Sequence, residues 1–319
     1  MKCPECGRNQ KKSTTALCIG CGYKFVLRPK DDGLSDSLLL AGVRKASSSD
    51  TQYFTVSQLY AAIYKLKRPG PRAMVVCGAI ALVAIVALLI TDLGFFGFIA
   101  LGSLVALVTV YRRRKSPDVQ SFADFQSTLH RAMDAMTGKF DKLVDKPTLG
   151  QPPPDWPETD IYDYGVERVL FVEREILVDL FVKNGWHAEN NALVISADGY
   201  PSYLKPRVSD LLSANPEMPV YLMHDATSDV AALSEGIRAN FGLGDREIRD
   251  LGLKPEDAQQ FQGLRTASGQ DHVPVDLLPY GALAAATGAA VLTGVLLSEA
   301  LLDQAKTSAF ASGAYTGYG

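Results

Sequence analysis

Four cysteines near the amino terminus have the types and the spacing of a metal site. They form two Cys-x-x-Cys pairs, Cys3/Cys6 and Cys18/Cys21, which are separated by eleven residues and are each followed by glycine. Each pair turns two thiolates toward one point, and two pairs supply the tetrahedral sulfur set that Zn²⁺ prefers. The alternative is two disulfides, which are typical of secreted proteins, but no signal-peptide-like segment precedes Cys3. Because four protein ligands leave no open position, the spacing predicts a structural zinc ribbon over residues 1–28.

Acidic residues follow three apolar segments in the carboxyl-terminal half of the chain. Glu173, Asp198 and Asp225 come at or just after the ends of these segments, and helical patterns alternate with them. This alternation predicts βαβ units and a parallel sheet within residues 151–275. The carboxyl ends of parallel strands line the ligand crevice, so the acids are expected at one edge, where Mg²⁺ would neutralise them. The alternative is that each acid caps the helix that follows it.

These segments resemble the Toprim domain of the DNA-cleaving A subunit of type IIB topoisomerases and its meiotic relatives. The resemblance is carried by the strings VLFVE (169–173), ISADGYP (195–201) and PVYLMHDAT (219–227). In that family a glutamate after the first strand and an Asp-x-Asp pair after a later strand bind Mg²⁺. The resemblance therefore implies that Glu173 and Asp225 are metal ligands. Thr227 stands in place of the second aspartate, and Asp229 is the nearest substitute.

The same strings supply further candidates for a ligand site. The Gly-Tyr-Pro turn is similar to one in the family, and a histidine stands next to the acid that follows the third strand. For this histidine the alternative is a hydrogen-bonded structural role. The candidates are Asp198, Gly199, Tyr200, Pro201, His224 and Thr227.

A segment earlier in the chain bears on catalysis. Residues 54–64 are similar to the family's winged-helix segment, in which adjacent tyrosines include the nucleophile that attacks DNA. Here Tyr60 is followed by Ala61, and Tyr64 lies one helical turn later. The resemblance therefore implies that cleavage through a tyrosyl intermediate is lost.

Two apolar runs separate the amino-terminal part from the α/β part. Residues 73–90 and 93–111 carry no charge, Asp92 lies between them, and basic residues flank both outer ends. Each run has about the length of a bilayer span, and the basic flanks are typical of cytoplasmic ends. The pattern predicts a transmembrane hairpin over 73–111, membrane lipid as a partner, and both soluble parts on the cytoplasmic side of an integral membrane protein. The alternative is a buried helical hairpin.

Charge is distributed unevenly along the chain. Residues 1–115 carry 17 Lys and Arg against 6 Asp and Glu, whereas residues 116–319 carry 15 against 29. Attraction to anionic lipid headgroups accounts for the basic half. The acidic half should repel a phosphate backbone unless divalent ions intervene, so the sequence leaves binding of nucleic acid open.

The remaining segments complete the predicted organisation. Residues 29–72 are expected to form a linker with an amphipathic helix, either a stalk or part of a small folded unit. Residues 112–150 are expected to form a helical connector. The apolar segment 276–305 has small residues at four-residue spacing, which favours a buried or oligomer-interface helix over a third span. The tail 306–319 is expected to be disordered.

The sequence thus predicts an α/β protein with a zinc ribbon, a two-helix transmembrane hairpin and a Toprim-like parallel-sheet domain. Two functions remain open. The first is a membrane-anchored zinc-ribbon protein whose partly degenerate Toprim-like domain is a binding or adaptor module for a protein partner or a second copy. The second is an Mg-dependent enzyme that acts on nucleic acid or a phosphorylated ligand. The altered Asp-x-Asp pair and the missing tyrosine favour the first.

Overall fold

The structure is a computed structural model, and it divides the chain into two compact units. Unit 1 comprises Met1–Gly42, Ala62–Ala135 and Gly263–Gln270, and unit 2 comprises Val43–Ala61, Met136–Gln262 and Asp271–Gly319. Thr227, Asp92 and the predicted tail 306–319 lie outside the described residues. The described residues are 2–10, 17–67, 71–91, 94–115, 119–151, 165–226, 228–254, 273–295, 297 and 299–300.

All six strands of the described residues lie in unit 2 and pair in parallel, whereas the described part of unit 1 is mainly helical. The strands are β1 Phe54–Thr55, β2 Leu143–Val144, β3 Arg168–Val172, β4 Ala192–Ser196, β5 Val220–Met223 and β6 Ile248–Asp250. The helices are α1 Asp36–Ala46, α2 Val56–Lys67, α3 Pro71–Thr91, α4 Gly94–Lys115, α5 Phe122–Ala135, α6 Glu175–Lys183, α7 Trp186–Glu189, α8 Lys205–Ala214, α9 Val230–Phe241 and α10 Tyr280–Thr293. A 3₁₀ turn, Val275–Leu277, precedes α10.

A four-stranded parallel sheet organises unit 2. Its strand order is β4-β3-β5-β6, and Val169 of β3 pairs with Leu193 on one side and Val220 on the other. The predicted α/β class and parallel sheet are confirmed. Strands β3, β4 and β5 read as nearly continuous aliphatic and aromatic runs because helices cover both faces of a parallel sheet. On one face, Phe171 packs edge to face against Phe241 of α9 at 4.8 Å between ring centroids.

The other face of the sheet receives α10. The Tyr221 hydroxyl of β5 donates to the carbonyl of Val291 at 2.9 Å, and the Trp186 indole N–H donates to the carbonyl of Ala284 at 3.0 Å. Leu283 and Ala286 are fully buried on this helix. The apolar segment 276–305 therefore contains a helix that packs within unit 2, and its small residues let it lie close to its neighbours.

The predicted transmembrane hairpin over 73–111 is wrong. Helices α3 and α4 lie side by side there, yet no helix in the described part of the chain is both long and apolar enough to cross a membrane. The predicted integral-membrane localisation, with both soluble parts on the cytoplasmic side, is corrected for the same reason.

In unit 1, a buried carboxylate joins the cysteine-rich segment to the first helix. Asp36, at the start of α1, accepts the backbone N–H groups of Val26 and Leu27 at 3.0 and 2.8 Å. Its carboxylate satisfies two backbone donors that would otherwise be buried without partners, while its position in the first turn suits the helix dipole. The cysteine-rich segment is thus anchored to α1 within this unit.

Candidate functional site

The four cysteines of unit 1 converge as the spacing predicts. Their sulfur atoms all lie within 4.8 Å of one another, and this is the one group of three or more Cys, His, Asp or Glu among the described residues that is arranged to hold a metal ion. We call the two Cys-x-x-Cys turns knuckles. Two sulfur–sulfur contacts join them, Cys3 to Cys21 at 3.5 Å and Cys6 to Cys18 at 3.6 Å. Sulfur atoms at the corners of a tetrahedron with metal–sulfur bonds of about 2.3 Å would be about 3.8 Å apart, so the donor set fits a metal ion.

The two knuckles have the same local architecture. The N–H of Gly7 donates to the carbonyl of Cys3, and the N–H of Gly22 donates to the carbonyl of Cys18. Both glycines have positive φ, +71° and +77°, which explains why glycine follows each pair. The buried side chain of Gln10 then links the two halves, because it accepts from the N–H of Ile19 and donates to the carbonyl of Leu17.

Backbone donors prepare this sulfur cluster for ionisation. The N–H of Gly20 reaches the Cys18 sulfur at 3.4 Å, and together with the N–H of Cys21 it lowers the pKa of the Cys18 thiol to about 6. The N–H of Tyr23 acts in the same sense on Cys21, but desolvation and the hydrogen bonds from the other three cysteines prevail and raise the pKa of Cys21 to about 12. Cys21 therefore retains a proton that a bound cation would displace.

In unit 2, two of the acids predicted at the carboxyl ends of the strands, Glu173 and Asp225, lie close together, but internal partners occupy them. One carboxylate oxygen of Glu173 accepts the N–H of Asp225 at 2.8 Å and the hydroxyl of Ser228 at 2.5 Å. These contacts tie the end of β3 to the segment after β5. No acidic group among the described residues forms a metal-ligand set, so the predicted Mg²⁺ site gains no support.

A cationic side chain, Arg174, lies between two buried carboxylates at this edge. Its Nε is 2.9 Å from Asp225 and its Nη2 is 2.5 Å from Asp276, and these carboxylate side chains are 5% and 1% exposed. Asp276 also accepts the hydroxyl of Thr55 at 2.6 Å, and Asp225 accepts the N–H of Val275 at 2.7 Å. We call Glu173, Arg174, Asp225, Ser228 and Asp276 the carboxyl-edge cluster.

Burial and charge oppose each other within this cluster. Burial would lower the pKa of Arg174, but the charges of Asp276 and Asp225 raise it above the ordinary arginine value. Burial raises the pKa of Asp225 against the influence of Arg174, whereas at Asp276 the guanidinium outweighs burial and the pKa is lowered. The carboxyl-edge cluster is therefore a desolvated ion-pair network. Arg174 supplies the positive charge that we had expected Mg²⁺ to supply.

The buried histidine next to the cluster has a defined protonation pattern. Nδ1 of His224 is 2.7 Å from the backbone carbonyl of Asp225, and Nε2 is 2.9 Å from the carboxylate of Asp250. Both partners accept hydrogen bonds, so both ring nitrogens are placed to donate, as in imidazolium. Burial would lower the pKa of His224, but the hydrogen bond to Asp250 prevails and raises it, and the same bond lowers the pKa of Asp250. Gly252 leaves space for the ring, because a Cβ there would lie 2.1 Å from it.

The other predicted site residues have structural roles or lie in solvent. Asp229 is exposed and caps α9 through the N–H of Ala232 at 3.0 Å, so the helix-capping alternative holds for it. Asp198 is exposed. The turn that contains Gly199, Tyr200 and Pro201 has a cis Tyr200-Pro201 bond and a φ of +91° at Gly199.

Tyr200 is held within unit 2 by a buried acid. Its hydroxyl donates to Asp179 at 2.7 Å, and the same carboxylate accepts the N–H of Thr148 at 2.9 Å. Asp179 is fully buried on α6. The Gly-Tyr-Pro turn thus fastens β4 to α6 and does not meet the carboxyl-edge cluster through any described hydrogen bond.

The tyrosine candidates are not presented to solvent. Tyr60 is fully buried on α2, Ala61 is 3% exposed and Tyr64 is 6% exposed. A nucleophile for DNA has to reach a phosphate, and these side chains would have to leave the protein interior to do so.

Sequence reasoning missed the residues that satisfy the acids. Arg174 follows Glu173 directly and could have been considered as a counter-ion. Asp276 and Asp250 carry no local signal, because each meets its partner through contacts more than 20 residues apart in sequence.

Comparison of the chain with protein-family models, curated proteins and solved structures gives no match. The likeness to Toprim domains therefore remains a hypothesis that depends on the strings quoted above.

The first prediction concerns Arg174. Arg174→Met should lower the free energy of unfolding of unit 2 by about 3–5 kcal/mol, because it leaves two buried carboxylates without a counter-charge. The measurement is urea unfolding of the full chain at neutral pH. Arg249→Met is the control, since the Arg249–Glu247 pair is solvent-exposed and should change stability by about 1 kcal/mol or less. Adding Asp276→Asn to Arg174→Met should restore part of the loss, and equal effects of the two arginine variants would contradict the ion-pair account.

The second prediction concerns pH. When the pKa of a histidine is raised in the folded state, its interactions stabilise the fold fully at a pH below the unfolded-state pKa of about 6.5. That contribution is lost as the pH rises through the raised folded-state pKa. Asp250, whose folded pKa is lowered, contributes above about 3.9 and loses that contribution as pH falls through the lowered value. The stability difference between the natural chain and His224→Gln should therefore be largest in mildly acidic solution and shrink in alkaline solution. Urea midpoints across this range test it, with His130→Gln as control, and a difference that grows with pH would refute it.

Proposed function

We propose that this protein is a zinc-ribbon binding or adaptor module whose Toprim-like α/β domain serves recognition and not metal-dependent catalysis. The carrying observation is that Arg174 pairs with Asp225 and Asp276 at the edge where the resembled family keeps Mg²⁺. A guanidinium fixed among these carboxylates supplies the neutralising charge and donates one hydrogen bond to each, so a hard cation would have to displace it.

Zinc is the metal that best suits the cysteine cluster. A set of four thiolates favours Zn²⁺ over the oxygen-preferring cations, and a closed tetrahedral set makes the ion structural. Cys3, Cys6, Cys18 and Cys21 would hold it, and the N–H groups of the knuckle turns would stabilise the sulfur charge. The ribbon has a small core of its own, Cys3, Cys18 and Phe25 with Tyr23 against them, and so depends on the ion for order.

The second knuckle offers the ribbon a surface for a protein partner. Ile19 is 75% exposed and Leu17 is 49% exposed, although both belong to a turn that the metal would hold rigid. Exposed apolar side chains on a rigid turn lose little conformational entropy when they are buried against a partner. This supports the adaptor role for the amino-terminal part of the chain.

The third prediction concerns metal content. The purified full chain should contain one zinc ion, and Cys18→Ser should lose it and make the amino-terminal segment sensitive to protease, because the fold of the ribbon is coupled to the metal. Elemental analysis and limited proteolysis measure both effects. Cys77→Ser is the matched control, since Cys77 lies on α3 outside the cluster and should leave the zinc content unchanged. Full zinc content in Cys18→Ser would argue against the ribbon.

The fourth prediction tests the function itself. The full chain incubated with supercoiled plasmid and Mg²⁺ should give neither a covalent protein–DNA adduct nor strand breaks. Tyr60 is buried, and Arg174 pairs with the carboxylates of Asp225 and Asp276. An authentic type IIB topoisomerase is the positive control. An adduct that disappears in Tyr60→Phe or Tyr64→Phe, or Mg²⁺-dependent cleavage that disappears in Glu173→Gln, would replace the adaptor proposal with an enzymatic one.

A further inference from the structure

Unit 2 contains an open cavity that is formed by residues outside the carboxyl-edge cluster. Its volume is about 640 Å³, within the range of sites that bind small organic ligands. Its walls come from the segment before β1, from the start of β2, from the ends of α6 and α7, and from one side of α10.

Two lysines line one end of this cavity and approach the same aromatic ring. The Nζ of Lys142 lies 4.3 Å from the centroid of the Tyr53 ring, and the Nζ of Lys183 lies 5.8 Å from it. Lys183 is 3.4 Å from the Asp179 carboxylate, whereas Lys142 has no carboxylate within 4 Å among the described residues. Two ammonium groups near one ring, with one close counter-ion, create an excess of positive charge that an anion would relieve.

The residue whose ring both lysines approach has a fixed backbone. The N–H of Tyr53 donates to Oδ1 of Asn184 at 2.8 Å, and Nδ2 of Asn184 donates to the carbonyl of Tyr53 at 3.0 Å. This reciprocal pair fixes the backbone of Tyr53 against the end of α6. That part of the cavity wall is therefore in place before a ligand binds, which lowers the entropic cost of binding.

Most residues of the α10 wall of the cavity are small, although Tyr280 and Leu292 also line it. Gly281, Ala284, Ala285 and Gly288 form the part without large side chains, and the Trp186 indole is hydrogen-bonded to the carbonyl of Ala284. Gln52 lies close to Gly281, since a Cβ at position 281 would be 3.8 Å from Nε2 of Gln52. A planar group fits against such a wall, and a larger side chain at position 281 would occupy its space.

Hydrogen-bond acceptors also line the cavity. Glu189 is exposed on α7, and Oδ1 of Asn190 faces Gly288, 3.0 Å from the position of a Cβ there. A ligand that places an anion at the lysines therefore meets acceptors with its other end, which suits amino or hydroxyl donors.

We propose that this cavity binds a phosphate monoester that carries a flat body with hydrogen-bond donors, the chemistry of a nucleoside monophosphate. The phosphate lies between Lys142 and Lys183, the planar group lies against α10, and donors of the body meet Glu189 and Asn190. A dianionic phosphate matches two ammonium groups better than a single carboxylate does. The proposal does not depend on the zinc ribbon or on the carboxyl-edge cluster.

Calorimetric titration of the full, zinc-loaded chain with adenosine 5′-monophosphate tests the proposal. We expect saturable binding in the micromolar to millimolar range, with adenosine and inorganic phosphate each binding about tenfold more weakly or worse, because each lacks one half of the contacts. Lys142→Ala should weaken binding about tenfold and Lys142→Arg should retain it, since the arginine keeps the charge.

A steric variant makes the test independent of charge. Gly281→Leu should abolish binding by filling the cavity, and Gly236→Leu is the matched control, because Gly236 is an exposed helical glycine on α9 with open space around it. Thermal unfolding verifies that both variants fold. Absence of saturable binding to the natural chain would overturn the proposal, as would equal affinity for adenosine, equal affinity for inorganic phosphate, an unaffected Lys142→Ala, or equal effects of the two leucine variants.

Discussion

The fold of unit 2 depends on how buried negative charge is neutralised where its parallel strands end. β3 and β5 deliver Glu173 and Asp225 to the same edge, and the 3₁₀ turn before α10 adds Asp276. Desolvated carboxylates at this density are costly without a counter-charge. Arg174 meets that requirement, and because it contacts Asp225 and Asp276 together it also joins β3 to β5 and to the turn that starts α10.

Unit 1 and unit 2 each contain a cluster of groups whose negative charge needs a counter-charge. In unit 1 four sulfur atoms lie within 4.8 Å of one another, and protons or a metal ion must offset their charge. In unit 2 the offsetting charge is covalently part of the chain. An arginine cannot dissociate from the chain, so the α/β unit keeps the counter-charge of this edge without a bound ion.

The sequence predicted the features that depend on local spacing. Two Cys-x-x-Cys pairs predicted the convergence of Cys3, Cys6, Cys18 and Cys21, and apolar runs that alternate with helical patterns predicted β3, β4 and β5 and their parallel order. The sequence prediction failed over 73–111, where two uncharged runs were interpreted as transmembrane helices. Sequence reasoning also failed where the partner of a side chain lies far away along the chain. The Arg174–Asp276 and His224–Asp250 pairs are examples, because local sequence patterns do not reveal such contacts.

Contacts between residues that are distant in sequence also explain why the metal-binding roles implied by the resemblance find no support at this edge. In the Gly-Tyr-Pro turn, Tyr200 uses its hydroxyl to hold α6 through Asp179. Asp229, the nearest substitute for the second aspartate of the family pair, uses its carboxylate to cap α9. Because each acid is already satisfied by a helix end, a hydroxyl or a guanidinium, a divalent ion would compete with interactions that stabilise the fold. Conversion of this edge into a metal site would therefore require replacement of Arg174 as well as a further carboxylate that has no internal partner.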